Sequence, residues 1–298
     1  ARIVSAAQGR GLIDFGSRRG HGPHSGLLAA RASYIAGFES TSNVEAARLL
    51  GIPASGTMAH SWVQSFDSEE EAFEAYARTF PGATTLLVDT YDTLEGVRKA
   101  AAVSPPIQAV RLDSGDLASL AQGARAILDK HDRRQVKILA SGDLDENEIA
   151  RLISAGAPID GFGVGTELIT SRDAPALSMV YKLVEIDGEG RIKLSPNKKT
   201  YPRTKQIFRR RDAAGTFCGD LVTRADETAE GEALMEQVVR QGQLVRPLPD
   251  LGAIRQHCAS QLSSLPERLK KLDATGDYPI EYSDLLEDEA RRLMEQGK

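Results

Sequence analysis

The 298-residue sequence lacks the features that mark several protein classes. No apolar run approaches the roughly 18 residues that cross a bilayer, and the opening ARIVSAAQGR has no apolar stretch typical of a signal peptide. The only two cysteines, Cys218 and Cys258, form no CxxC pair, which argues against a zinc site or a disulfide framework. A net charge of -5 argues against a general nucleic-acid-binding protein. We therefore expect a cytoplasmic protein with small-molecule substrates and neither membrane nor nucleic acid as a partner.

A repeated pattern of strand followed by helix begins near residue 84. Four apolar runs end in Asp, Ser, Gly or Thr: TTLLVDT, IQAVRLD, VKILASG and IDGFGVG. The first three lead into helical spacing of apolar residues. Such alternation predicts an α/β fold with a mostly parallel sheet, and the number of units favours a closed β/α barrel over an open sheet. Polar strand ends then gather at one face of the barrel.

Helix starts are indicated by residues that favour the N-cap position. The predicted starts are Ser40 or Thr41 for a helix ending at Gly51, Ser68 with Glu71, Asp116, and Asp143 with Glu146 as a capping box.

The pattern changes after Tyr181, which divides the chain into a barrel at 1–181 and an appendage at 182–298. Turns at Asp187-Gly188 and Ser195-Pro196-Asn197 predict a β-rich first part, and helical spacing recurs around 227–241, 251–262 and 284–295. Three nearby lysines could contact phosphates or lie in solvent, and we favour solvent: Lys198, Lys199 and Lys205.

Two motifs near the start of the chain combine basic residues with glycine. FGSRRGHGP, residues 15–23, places Arg18 and Arg19 in a flexible loop where two guanidiniums can converge on one anion, although a solvated loop is an alternative. GIPASGTMAHSWV, residues 51–63, turns through SGT toward His60. Taken alone, a histidine beside Met58 and Trp62 is more often a packed core residue than a catalyst.

Three successive strand ends carry residues suited to phosphates. RLDSGDL supplies Arg111, Asp113 and Ser114, and the other two are ASGDLDE and GFGVGTEL. Small residues let backbone N–H groups reach a phosphate, and carboxylates can hold Mg²⁺ through water. No residue is assigned firmly as a metal ligand. DTYDT, residues 89–93, is a fourth acidic strand end, for which we favour a structural role.

Together these motifs, with SYIAGFESTSN between them, resemble the nicotinate phosphoribosyltransferase family in kind and in order, from Phe15 to VYKLVE. The resemblance implies an irregular β/α barrel of the type II phosphoribosyltransferase kind, and ATP-coupled joining of nicotinate to 5-phosphoribosyl 1-pyrophosphate in NAD salvage. It implies that His60 accepts a phosphoryl group from ATP and that Mg²⁺ assists.

The resemblance also implies the remaining site residues. Phe15 would flank the pyridine ring, while Arg18, Thr57 and Arg111 would surround nicotinate and Asp113 would act beside them. The expected contacts to the phosphoribosyl group and its phosphate are Ser114, Ser141, Gly142, Asp143, Gly163, Gly165 and Thr166. The related nicotinamide enzymes carry a carboxylate near the position of Ser42, so a serine there favours the acid substrate.

The chain begins at Ala1, and the resemblance implies a domain before it. In the family an aromatic residue of that domain, from a neighbouring subunit, completes the nicotinate pocket, so we expect a homodimer with shared sites. The 182–298 appendage is expected to pack on that domain.

Alternative functions follow from the same residues. They are a nicotinamide or quinolinate phosphoribosyltransferase, a phosphate-binding barrel lyase or isomerase, and a non-catalytic nucleotide-binding or assembly protein. The lyase reading would require a lysine or a basic carboxylate at a strand end, and residues 84–166 place no lysine there.

Overall fold

The computed structural model of the chain describes residues 1–104, 106–194, 200–274 and 276–296. They form two units, Ala1–Pro175 with Leu251–Ala259, and Ala176–Asp250 with Ser260–Lys298. Within the described ranges, no helix has both the length and the apolar composition that a membrane crossing requires.

Six parallel strands form the sheet of the first unit: β1 (Gly11–Asp14), β2 (Ser40–Thr41), β3 (Thr85–Leu87), β4 (Ala109–Leu112), β5 (Lys137–Ala140) and β6 (Gly161–Val164). They lie in the order β2-β1-β6-β5-β4-β3 and curl into a half-barrel. The α/β fold class is therefore confirmed. Among the described residues β2 and β3 do not pair with each other, so the sheet is open between them.

Helices of the first unit cover this sheet: α1 (Arg2–Ala7), a short 3₁₀ helix (Ser17–Arg19), α2 (Pro23–Ala36), α3 (Val44–Leu50), α4 (His60–Gln64), α5 (Glu69–Thr79), α6 (Thr93–Ala102), α7 (Leu117–Lys130), α8 (Glu146–Ser154), α9 (Thr166–Thr170) and the first part of α10 (Leu251–Ser263). One face of the central strands is completely buried, with Val110, Leu112, Ile138 and Ala140 at 0% exposure. These residues alternate along β4 and β5, so their side chains point to the same side of the sheet.

Two of the predicted helix starts are confirmed by their caps. The Ser68 hydroxyl accepts a hydrogen bond from a first-turn amide of α5, and the Asp116 carboxylate does the same for α7. Each cap satisfies one of the amides that a helix leaves unpaired at its first turn.

The other two predicted starts are wrong. Ser40 and Thr41 form β2, and Asn43 caps α3, which does end at Gly51. Asp145 caps α8, whereas Asp143 lies in the preceding loop with φ at 45°. ASGDLDE contains two possible N-cap residues, Asp143 and Asp145. The loop between β5 and α8 is long enough that the helix begins after Asp145.

The second unit contains a four-stranded sheet with short hairpins and helices. The strands are β7 (Glu185–Ile186), β8 (Glu189–Gly190), β9 (Lys205–Arg211), β10 (Phe217–Arg224), β11 (Glu232–Ala233), β12 (Val239–Arg240), β13 (Gln243–Leu244) and β14 (Ile280–Tyr282). The sheet order is β11-β9-β10-β14, while β7 pairs with β8 and β12 with β13. Its helices are the end of α10, α11 (Glu267–Lys270) and α12 (Asp284–Glu295).

The predicted β-hairpin at Asp187-Gly188 is confirmed, and both residues have the positive φ of such a turn. The turn at Ser195-Pro196-Asn197 lies outside the described residues, as do Lys198 and Lys199. Lys205 is half-buried and donates to the carbonyls of Tyr201 and Arg203 at 2.8 and 2.7 Å. Burial lowers the pKa of Lys205, so the solvated interpretation is wrong for this lysine.

Of the three predicted C-terminal helices, those at 251–262 and 284–295 are confirmed by α10 and α12. The helix at 227–241 is wrong, because this segment contributes β11 and β12 instead. Gly231 explains the difference. Its φ of 127° lies outside the helical range, and an added Cβ would lie 2.7 Å from the carbonyl oxygen of Arg209.

Candidate active site

A cleft of about 580 Å³ lies at the carboxyl ends of the first unit's strands. All predicted site residues except Ser114 line it. The lining residues are Phe15, Arg18, Arg19, Ser42, Gly56, Thr57, Met58, Ala59, His60, Arg111, Asp113, Ser141, Gly142, Asp143, Gly163, Gly165 and Thr166. Parallel strands bring their ends to one edge, so residues far apart in sequence meet there.

The β1 loop places an aromatic ring and two guanidiniums on one side of the cleft. The ring of Phe15 lies against Gly163, where an added Cβ would come within 2.4 Å of the ring. Arg18 and Arg19 form the 3₁₀ helix and are exposed. Among the described residues neither forms an ion pair with a carboxylate, so both can bind an anionic ligand.

Arg111 lies deeper in the cleft, at the end of β4, with its side chain 13% exposed. Its Nη1 donates to the Thr57 hydroxyl at 2.7 Å, and its guanidinium lies 5.5 Å from the centre of the Phe15 ring. Burial lowers the pKa of Arg111, and the nearby positive charge of Arg18 lowers it further, while Asp113 opposes both. Two converging cations beside a ring suit an aromatic carboxylate.

His60 opens α4 and is 41% exposed toward the cleft. Its Nε2 lies 3.7 Å from Asp113 Oδ2 and 3.9 Å from Asp89 Oδ1, and its Nδ1 lies 3.2 Å from Thr90 Oγ1. Trp62 fixes the same helix by donating from Nε1 to the carbonyl of Ala72 at 3.0 Å. The interpretation of His60 as a packed core histidine is therefore wrong.

Asp89 lies behind the cleft, next to His60 and Asp113. It is 8% exposed and accepts hydrogen bonds from the Asp113 amide at 3.1 Å and the Ser114 hydroxyl at 2.6 Å. Its Oδ1 is buried without a hydrogen-bond partner among the described residues and faces His60. In the same motif Asp92 caps α6, and Asp89 joins the end of β3 to the loop after β4, so both aspartates have the structural contacts that the interpretation of DTYDT predicts.

Ser114 lies beside the cleft rather than in it. With Asp113, Gly142 and Asp143 it lines an adjoining groove, and its hydroxyl donates to Asp89. The structure therefore places Ser114 as a support for Asp89.

The β5 and β6 ends bring backbone close to the cleft. Gly142 has φ at 94°, and an added Cβ would lie 2.1 Å from the carbonyl oxygen of Asp113, so only glycine fits. Ser141 donates to the Asp113 carboxylate. Gly165 precedes α9 and packs on the Phe15 backbone. Close approach of this kind leaves room for a phosphate against main-chain atoms.

Ser42 lines the cleft with its hydroxyl proton already in use. Its Oγ donates to the main-chain oxygen of Asp14 at 2.9 Å, and its amide donates to the same oxygen at 2.8 Å. Toward the cleft the hydroxyl therefore offers only lone pairs.

Comparison with known proteins agrees with this arrangement. The model of the nicotinate phosphoribosyltransferase (NAPRTase) family matches residues 11–220, and that of the nicotinate phosphoribosyltransferase C-terminal domain matches residues 228–289. The chain is 49% identical over 301 residues to nicotinate phosphoribosyltransferase pncB2 of Mycobacterium tuberculosis, covering 98% of this chain and 65% of that protein. It is 36% identical over 321 residues to nicotinate phosphoribosyltransferase of Bacillus subtilis, covering 95% and 65%.

Solved structures give the same result. The crystal structure of human nicotinic acid phosphoribosyltransferase aligns with a TM-score of 0.82 at 28% identity, covering 98% of this chain and 72% of that one. That of nicotinate-nucleotide pyrophosphorylase from Pyrococcus furiosus aligns with a TM-score of 0.76 at 27% identity, covering 88% and 68%. The chain spans 65% of the length of the two bacterial relatives. It belongs to the nicotinate phosphoribosyltransferase family.

Proposed function

We propose that this chain carries the catalytic cleft of a nicotinate phosphoribosyltransferase. The reaction joins nicotinate to 5-phosphoribosyl 1-pyrophosphate, giving nicotinate mononucleotide and pyrophosphate, and couples this step of NAD salvage to ATP hydrolysis. The observation that carries the proposal is the meeting of Arg18, Arg111 and His60 with the Gly142 and Gly165 loops in one cleft. Since ATP is a co-substrate, we also propose that the protein works in the cytoplasm.

Nicotinate binding is assigned to the Phe15 side of the cleft. The ring would stack against the pyridine, and Arg18 and Arg111 would pair with its carboxylate. The pyridine nitrogen then attacks the anomeric carbon as pyrophosphate leaves through an oxocarbenium-like transition state. The protein makes no bond at that carbon, so its contribution is to position the reactants and to stabilise charge.

The 5′-phosphate is assigned to the carboxyl ends of β5 and β6, where Ser141, Gly142, Gly163, Gly165 and Thr166 line the cleft. Asp143 lines the same side, where its carboxylate can accept hydrogen bonds from the ribose hydroxyls.

His60 is assigned to the ATP-coupling step. Asp89 and Asp113 near Nε2 favour the tautomer that carries its proton there, which leaves the lone pair on Nδ1. That nitrogen attacks the γ-phosphorus of ATP, ADP leaves, and water later takes the phosphoryl group as phosphate. The two carboxylates stabilise the positive charge that develops on the ring.

Magnesium is the proposed counter-ion of the phosphates. Asp113 and Asp143 line the cleft, and Asp89 adds a buried carboxylate oxygen with no hydrogen-bond partner among the described residues. Carboxylate oxygens are ligands that Mg²⁺ prefers. The described residues contain no group of three or more side chains arranged to hold a metal, so these carboxylates fit an ion shared with substrate phosphates. The bound ion would neutralise the leaving pyrophosphate.

We further propose that the chain works as a homodimer with shared sites. The support is the family itself, together with a nicotinate position that Phe15 covers from one side.

The test is phosphoryl labelling of the purified chain. Incubation with ATP labelled at the γ-phosphate is expected to label the wild type, and His60→Ala is expected to remove both the label and the ATP stimulation of nicotinate mononucleotide formation. His131→Ala is the matched control, because His131 is an exposed histidine at the end of α7. Label that survives in His60→Ala contradicts the role of His60, and absence of product with any pyridine substrate contradicts the activity.

A further inference from the structure

Asp14 is a buried carboxylate for which the proposed mechanism has no use. It ends β1 and is 1% exposed. Burial raises its pKa, and hydrogen bonds from Gly16 and Thr41 only partly offset that effect. Among the described residues no lysine or arginine pairs with it. A buried carboxylate without a neighbouring cation lowers the stability of the folded protein. We therefore looked for a function of Asp14 that an apolar residue could not perform.

The oxygens of Asp14 join two segments of the cleft. The carboxylate accepts from the Gly16 amide at 2.8 Å through Oδ1 and from the Thr41 hydroxyl at 2.7 Å through Oδ2. Its main-chain oxygen accepts both the amide and the hydroxyl of Ser42. One residue thus supplies the acceptors for four donors, one on the β1 loop and three at the end of β2.

Gly16 and Thr41, which bind the Asp14 carboxylate, also form hydrogen bonds with residues in or next to the cleft. Gly16 accepts from the Arg19 amide at 2.9 Å, which closes the 3₁₀ helix that carries both guanidiniums. Thr41 accepts from the Asn43 amide at 3.0 Å through Oγ1 and from the Ser55 amide at 3.0 Å through its carbonyl. Ser55 leads directly to the Gly56–Thr57 turn of the cleft.

The fit around Gly16 is tight. An added Cβ would lie 3.1 Å from Asp14 Oδ1, 3.0 Å from Ile169 Cβ and 3.3 Å from the Gly165 carbonyl oxygen. The backbone at Gly16 therefore has no room for a side chain, and the Asp14 carboxylate is one of the groups that limit this space.

We propose that Asp14 is a positioning residue that locks the loop carrying Arg18 to the strand end carrying Ser42. It sets the distance between the guanidiniums and the β2 side of the nicotinate position without contacting the ligand itself. The expected effect of this role on nicotinate affinity rests on the proposed function. The geometry of the acceptors, rather than the negative charge, does the positioning.

Two substitutions at Asp14 separate geometry from charge. Asp14→Ala removes both side-chain acceptors. Asp14→Asn removes the charge and keeps an acceptor for the Gly16 amide, while its N–H can donate to the Thr41 oxygen in a hydrogen bond of reversed direction. Thr41→Val removes a single contact of the carboxylate as a milder variant. Asp160→Ala is the control, because Asp160 accepts from the Ile138 amide at 2.8 Å at the amino-terminal ends of β5 and β6, whereas the cleft lies at the carboxyl ends.

The first readout needs no ligand. Hydrogen exchange by mass spectrometry is expected to be about tenfold faster in segments 15–22 and 41–46 of Asp14→Ala, and near wild type in Asp14→Asn and Asp160→Ala. Thr41→Val is expected to affect mainly 41–46. Unchanged exchange in Asp14→Ala, or Asp14→Asn as fast as Asp14→Ala, overturns the proposal.

The second readout is calorimetric binding on the same proteins. Nicotinate Kd is expected to rise about tenfold in Asp14→Ala and about threefold or less in Asp14→Asn. Affinity for 5-phosphoribosyl 1-pyrophosphate, whose proposed pocket lies at the ends of β5 and β6, is expected to fall less than the affinity for nicotinate, and its retention shows that the variant is folded. Equal loss for both ligands overturns the positioning role. A wild type that binds no nicotinate contradicts the proposed function instead, and the exchange result then still decides the role of Asp14.

Discussion

At the scale of single residues, the proposed preference for nicotinate rests on the charge near the position assigned to its carboxylate. Ser42 uses its hydroxyl proton on the Asp14 carbonyl, so it cannot donate to nicotinate. We therefore expect Ser42→Ala to change nicotinate KM by about threefold or less, since no ligand hydrogen bond is lost. Ser42→Asp is expected to raise nicotinate KM by tenfold or more, because it brings a like charge near the ligand.

Both variants are checked by steady-state kinetics with nicotinate and with nicotinamide. Ser40→Asp is a poor control, because Ser40 is buried and a charge there would disturb the fold. Ser55→Ala serves better, since its side chain does not line the cleft. A large loss in Ser42→Ala would show that the hydroxyl turns toward the ligand.

Arg18, His60 and Gly142 could be predicted to lie in one cleft because their motifs occur in the order of the resembling family. The contacts of Asp14 and Asp89 could not be predicted, since Asp14 ends an apolar strand and Asp89 follows one, where polar residues are common. Their partners explain this. The Thr41 hydroxyl that binds Asp14 lies 27 residues away, and the Ser114 hydroxyl that binds Asp89 lies 25 residues away. Only the parallel pairing of the strands brings them together.

At the scale of elements, Arg255 joins α10 to the end of α2. Its guanidinium donates to the carbonyls of Tyr34, Gly37 and Phe38 and lies 4.4 Å from the centre of the Tyr34 ring. Carbonyls at a helix end lack partners within the helix, and a cation there is favourable. We expect Arg255→Met to lower the free energy of unfolding by about 2 kcal/mol, measured by urea unfolding of the full chain.

The control for Arg255 is Arg151→Met. Arg151 pairs with Glu148 on the surface of α8, and such a solvent-exposed ion pair contributes little to stability. Equal destabilisation by the two variants would show that the contacts of Arg255 add no more to the free energy of unfolding than a surface ion pair does.

Helices and strands were predictable where the local pattern had a single solution. Asp116 directly precedes the apolar helical spacing of α7 and caps it, whereas Asp143 and Asp145 compete before α8, and loop geometry decided for Asp145. The helix expected at 227–241 failed because the φ of Gly231 and the pairing of β11 with β9 outweigh helical spacing. Contacts remote in sequence determined that segment.

At the scale of the whole molecule, the described cleft draws Arg18, Arg111 and His60 from one chain. In a homodimer each cleft then requires all three from the same subunit. We therefore expect no recovery of ATP-stimulated activity when His60→Ala and Arg18→Ala chains are unfolded together and refolded as hybrids, because every cleft lacks one group. Co-refolded wild type is the control for recovery. Product formation near a quarter of that control would instead show that Arg18 and His60 act across the interface.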